Sequence, residues 1–175
     1  MRAIRFLAIL VLVVLLVGGC SRWATHPPLE GTGPSGGTIA EPIPSLMADA
    51  IRFAHSHYRG HDEVIINLPE GTPAAVYEMV TDRLGRGRPM MASSERAYHV
   101  TEVRVRGLDA QVDLLSPRKD GYYHFVTISF RQDLLRGYQV AHTRLWRIRE
   151  EPPAPNYRSP PPRPEAAAVV EIPES

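Results

Sequence analysis

Two groups of residues have the side-chain types that chemistry needs. The denser is "HSHYRGHD", which puts His55, His57, His61 and Asp62 within eight positions. Imidazoles and a carboxylate are zinc ligands, and a spacing of four on a helix would set His57 and His61 on one face. Gly60 breaks the helix between them, however, and His55 points about 200° away from His57 around the helix axis. The set does not converge. It reads as a solvated helix end, and neither a metal nor another cofactor is expected.

The second group lies on two consecutive strands. Alternation puts Tyr122, His124, Val126, Ile128 and Phe130 on one face, and Tyr138, Val140, His142, Arg144, Trp146 and Ile148 on the matching face of the next strand. A turn near "QDLLRG" that brings Phe130 beside Gln139 or Val140 sets Trp146 beside His124 and His142 beside Ile128. His124 and His142 are then roughly 13 Å apart, too far to share a metal. An arginine on this otherwise apolar face needs an acid, a sheet edge or an anionic ligand. Two readings follow. One is a ligand pocket lined by Tyr122, His124, Arg144 and Trp146; the other is a core margin where Arg144 pairs with Glu102 or Asp113 and the rings pack.

Signatures of common enzymes are missing. The chain has no Gly-x-Ser-x-Gly, no Gly-x-Gly-x-x-Gly and no Walker loop, and "GRGRP" lacks the lysine and helix that phosphate binding requires. Ser93, Ser94, Asp109 and Asp113 form no recognisable triad. Catalysis is not expected.

One cysteine remains, Cys20, at the end of the most apolar run. Arg2 and Arg5 precede an uninterrupted apolar stretch from Phe6 to Val17, and Gly18 and Gly19 come before Cys20. This is the order of an export leader: positive region, apolar region, small-residue cleavage site. Twelve helical residues rise only about 18 Å against roughly 30 Å of hydrocarbon, which disfavours a permanent span. The sequence Val17-Gly18-Gly19-Cys20 resembles the lipobox of bacterial lipoproteins. The resemblance implies cleavage between Gly19 and Cys20, a diacylglyceryl group on the Cys20 sulfur and an acylated new amino terminus. Several chains on one residue satisfy the need for more than one lipid in stable anchoring. Ser21 after the cysteine is more like outer-membrane lipoproteins facing the periplasm than inner-membrane ones. With no second cysteine, an intramolecular disulfide is excluded, and the domain depends on its core.

The positioning elements follow from patterning. Formal charge is +1, and without Arg2 and Arg5 there are 18 basic against 19 acidic residues, interleaved and not clustered; nucleic acid is not an expected partner. The 17 prolines concentrate at the two ends. Residues 1–19 read as the signal peptide and 20–44 as the lipidated start and a Gly/Pro-rich tether with a mean reach of about 27 Å. Residues 45–150 read as the folded domain and 151–175 as a Pro-rich disordered tail. That tail is either solvated or a stiff recognition ridge for another envelope protein.

Within the domain, "SLMADAIRFAHSHYRG" predicts a helix capped by Ser45 with a stripe at Met47, Ala50, Ile51, Ala54 and Tyr58. Glu63 to Leu68 reads as a buried strand. "EGTPAAVYEMVTDRLG" predicts a second helix, capped by Thr72, ended by Gly85, and buried at Val76, Met79, Val80 and Leu84. "RGRPMMASS" reads as a flexible loop. "AYHVTEVRVR", "AQVDLLS", "YYHFVTISFR" and "YQVAHTRLWRI" then alternate as four meandering strands. The expected class is α+β, with two helices on a mainly antiparallel sheet of four to five strands. In order of elements this is similar to the cystatin-like and NTF2-like families. The functional expectation is a lipid-anchored envelope protein with a non-catalytic interaction domain. The alternative is a small-ligand-binding or hydrolytic module with its pocket on the sheet face.

Overall fold

The computed structural model describes residues 23–28, 33–34, 40–58, 63–151 and 153–159. The expected signal peptide, the Gly19/Cys20 cleavage and lipidation site, His61, Asp62 and the tail beyond residue 159 lie outside these. In chain order the elements are β1 (Ala24–His26), β2 (Gly33–Pro34), α1 (Ile43–His57), β3 (Ile65–Asn67), α2 (Ala74–Leu84) and β4 (Arg88–Pro89). Four long strands follow: β5 (Tyr98–Arg106), β6 (Asp109–Pro117), β7 (Tyr123–Asp133) and β8 (Gly137–Glu150). The fold is α+β, with a mainly antiparallel sheet ordered β2-β1-β5-β6-β7-β8 and with β3 and β4 joined in parallel beside β5.

Among the described residues the sheet has eight strands, more than the four to five expected. All four long strands fall where alternation put them. The additional ones come from segments whose Gly/Pro content hid them. Ala24–His26, expected as tether, pairs antiparallel with Val103–Val105 of β5. Arg88–Pro89, expected as loop, pairs in parallel with β3 and delivers Met90 to a fully buried position. Gly87 makes that approach possible. Its φ is +105°, and an added Cβ would lie 2.5 Å from the Val64 carbonyl oxygen.

Both helices cover one face of the sheet. In α1, Leu46, Met47, Ala50, Ile51 and Ala54 are fully buried against Val100, Val103, Val112, Leu114 and Ile128, each large side chain withdrawing surface worth roughly 1.5–3 kcal/mol. The helix begins at Ile43, ahead of the Ser45 cap expected, because Pro44 fits the first turn, where no amide bond is required, and Ile43 joins the core. Ser45 Oγ instead donates to Glu41. In α2, Pro73 occupies the cap position and Thr72 Oγ1 donates to the Pro69 carbonyl. Gly85 closes the helix in the left-handed region, as expected. Met79 is exposed and Tyr77 is buried in its place, because the Tyr77 hydroxyl accepts from the Leu68 amide.

The tail's first residues also depart from expectation. Asn67, fully buried at the end of β3, donates to the Ala154 carbonyl and accepts from the Asn156 amide, and Asn156 Nδ2 donates to the Leu68 carbonyl. Tyr157 sets its ring edge-on to Tyr77, 4.9 Å between centroids. Residues 153–157 are therefore a strap from β8 back to β3. Extended proline-rich backbone leaves its carbonyls free, and Asn67 is the amide that captures them.

Candidate functional site

Of the four residues expected to line a pocket, only Arg144 and Trp146 are brought together. Tyr122 lies in the turn before β7 and is 44 % exposed. His124 pairs with Ser116 on one side and Arg149 on the other. Trp146 pairs with Phe125, and Arg144 with Thr127. The cause is two irregularities in the β7/β8 ladder, between Ser129 and Phe130 and between His124 and Phe125. Phe130 faces Val140 as expected, but Ser129 faces His142, so Ala141 is an extra residue. One extra residue moves every later side chain of β8 to the other face. Val140 stays with the helices, whereas His142, Arg144 and Trp146 join the open face.

On that open face the rows Glu102–Asp113–Thr127–Arg144 and Phe125–Trp146 build a connected polar network. Trp146 Nε1 donates to Thr127 Oγ1 at 3.0 Å, and Thr127 Oγ1 donates to Asp113 Oδ1 at 2.6 Å. Asp113 Oδ2 accepts from Arg104 Nη2 at 2.6 Å, and Arg104 Nη1 is 3.6 Å from Glu102. The Arg144 guanidinium lies 3.7 Å above the centre of the Trp146 ring. Arg144 therefore meets its requirement through the sheet edge and a cation–π contact. Glu102 and Asp113, the acids expected for Arg144, are taken by Arg104.

Glu102 and Asp113 sit directly opposite each other, a repulsive arrangement that Arg104 bridges. Burial raises the pKa of Glu102; Arg104 lowers it and Asp113 raises it further. Glu102 Oε1 has no hydrogen-bond partner. Burial, helped by Arg118, lowers the His124 imidazole below its usual value, with Asp120 opposing.

Two clefts lie elsewhere. One, of about 330 Å³, is bordered by Glu70, Thr72, Asn156 and Arg158 at the start of α2; the other, about 320 Å³, runs between Arg52 and Phe53 of α1 and Tyr138 and Val140 of β8. Neither is lined by any of the four expected residues. Of the histidine cluster, His55 Nδ1 is 3.1 Å from the Tyr98 hydroxyl and His57 stacks on Phe53. Among the described residues no group of His, Cys, Asp or Glu could hold a metal ion.

Comparison with protein-family models, curated proteins and solved structures found no match to this chain. The open-face network positions a tryptophan and an arginine, both held by half-buried partners, on an edge strand.

Arg104 and Thr127 were not among the residues expected at a site, although a period in the sequence marks them together with Asp113. Glu102 and Arg104, Gln111 and Asp113, and Thr127 and Ser129 are polar at a period of two on three adjacent strands, which marks the open face of a one-sided sheet.

Proposed function

We propose that the protein is a lipid-anchored component of a bacterial cell envelope, attached through Cys20 to the periplasmic face of the outer membrane, whose domain works by binding a protein and not by catalysis. The observation that carries the binding reading is the β8 edge. β8 runs for 14 residues, pairs with β7 on one side, and ends the sheet order on the other. Val140, Leu145 and Ile148 are exposed along it.

Between the two irregularities, His142 to Trp146 keep regular pairing. This window can accept a partner strand by edge addition. The flanking bulges and the exposed Arg144 and Arg147 keep the edge from indiscriminate self-pairing. Trp and Arg are the residue types that dominate binding energy at protein interfaces. Arginines along β8 outnumber its one acid, Glu150, so the complementary partner is an extended acidic segment.

In order of elements the domain resembles cystatin-like and NTF2-like folds. The space between helices and sheet, where a ligand would enter such a fold, is filled by Met47, Ile51, Val112, Leu114 and Ile128, all fully buried, which favours the protein-binding reading over the small-ligand one. In intact cells, a photo-crosslinker at His142 should give a discrete adduct that Trp146→Ala weakens at least several-fold. The same crosslinker at Glu78, on the exposed face of α2, should not. Equal labelling from both positions, or an adduct indifferent to Trp146, removes the reading. For the anchor, Cys20→Ala should lose lipid labelling and leave unprocessed precursor or soluble protein.

A further inference from the structure

Residues 24–26 belong to the sheet, and this alters how the domain can sit relative to a membrane. Ala24 pairs with Val105, and the Trp23 ring lies 4.8 Å beneath the Arg106 guanidinium. Only Ser21 and Arg22 separate Trp23 from Cys20. Three chain steps span at most about 11 Å. A lipidated Cys20 therefore holds the Arg106 end of β5 close to the headgroups, not at the end of a long tether.

That end of the sheet has an unusual composition. The β5/β6 turn exposes Leu108, at 57 %, and the β7/β8 turn exposes Leu134 and Leu135, both at 95 %. The two turns are joined: the Gln132 amide donates to the Leu108 carbonyl at 2.7 Å, and the Tyr138 hydroxyl donates to the Gly107 carbonyl at 3.3 Å. Asp133 Oδ1 accepts from the amides of Leu135 and Arg136, at 2.9 and 3.0 Å, which fixes the turn with its leucines outward. Arg106, Arg131 and Arg136 stand around them. Of the two described acids at this end, Asp133 is engaged by turn amides and Asp109 accepts from Arg131 Nε at 3.2 Å. Among the described residues, three arginines stand against two aspartates at this end.

We propose that this end of the sheet, with Trp23, Leu108, Leu134 and Leu135, is a lipid-contact surface that seats the domain directly on the bilayer. The proposal rests on the lipid-anchor reading of Cys20. Leucines enter the headgroup and acyl boundary, arginines meet anionic headgroups, and Trp23 takes the amphipathic position that indole rings hold at such interfaces. The seat also turns the long β8 edge along the membrane normal, with its far end, near Glu150, pointing away from the lipid.

The test uses purified, lipidated full-length protein in phosphatidylethanolamine and phosphatidylglycerol vesicles that carry spin-labelled lipid. With the Cys20 sulfur acylated, a fluorophore can be placed on Gln132→Cys, which leaves both leucines intact, or on Ser94→Cys, in the exposed loop at the opposite end of β5. Lipid quenching should be several-fold stronger at 132 than at 94, and L134S/L135S should reduce the difference. Membrane-bound, lipid-labelled protein with equal quenching at both positions overturns the seat alone. Failure of quenching together with crosslinks between the 132 positions of two molecules also overturns it, in favour of a second copy covering the leucines. Protein that carries no lipid label and leaves the vesicles overturns the anchor reading, and the seat with it.

Discussion

Asp113 accepts from both Arg104 and Thr127 with only 8 % of its side chain exposed, so shortening it strands two half-buried donors. Asp113→Ala should cost about 2–3 kcal/mol, read as a lower urea midpoint at unchanged m-value. It should also loosen the Trp146 ring, seen as a red-shifted or more mobile indole signal; unchanged stability would show that the network is not a unit. Glu102 behaves oppositely. Its folded-state pKa is raised, chiefly by burial, so folding disfavours its ionised form, and the penalty grows as pH rises through that value. Glu102→Gln should leave stability equal or higher at pH 7, with the gain vanishing in acid; a loss at pH 7 refutes this balance. At this scale the sequence disclosed the right acids and the wrong arginine. Alternation assumes an unbroken ladder, and nothing in "YQVAHTRLW" marks Ala141 as the residue that breaks it.

Elements with a strong period were legible, and those set by tertiary pairing were not. The long strands β5 to β8 and the stripes of α1 show their pattern because one face is buried and the other is wet. β1 and β4 are too short to carry a period, and their pairing depends on β5 and β3 offering free edges. The strap is the extreme case: proline content argues for disorder, yet Asn67 captures it with two hydrogen bonds and Asn156 adds a third to the Leu68 carbonyl. Asn67→Ala should destabilise by about 1–3 kcal/mol and raise amide exchange around Leu68 and Asn156. A chain ending at Glu151 should show the same exchange change at Leu68, with Tyr77 losing its Tyr157 neighbour. Protection at Leu68 that survives both changes would mean that the strap does not stabilise β3. Gly87→Ala is a separate check on β4: a left-handed φ and a Cβ 2.5 Å from the Val64 oxygen together should cost about 2 kcal/mol or more.

For the molecule as a whole, a core free of disulfides and packed on one side of the sheet leaves stability exposed to groups that folding desolvates. His99 is the clearest. It is 8 % exposed, its Nδ1 has no partner, and burial pushes its pKa down from 6.5 to about 4. His26, also buried, is lowered for the same reason. The sign follows from proton counting. Between pH 6.5 and about 4 the unfolded chain binds a proton at His99 that the folded protein refuses, so stability must fall as pH drops through this window. The largest loss from His99 is about 3 kcal/mol, complete just below pH 4, and only well above pH 6.5 does the group contribute no slope. Many carboxylates titrate in the lower part of the same range, so the parent curve alone does not isolate the imidazole. The difference between the parent and His99→Gln does: the two unfolding free energies should diverge from pH 7 downward, with the variant losing less. Parallel curves from pH 7 to 4 would show that the buried imidazole is protonated in the folded protein as readily as in the unfolded chain.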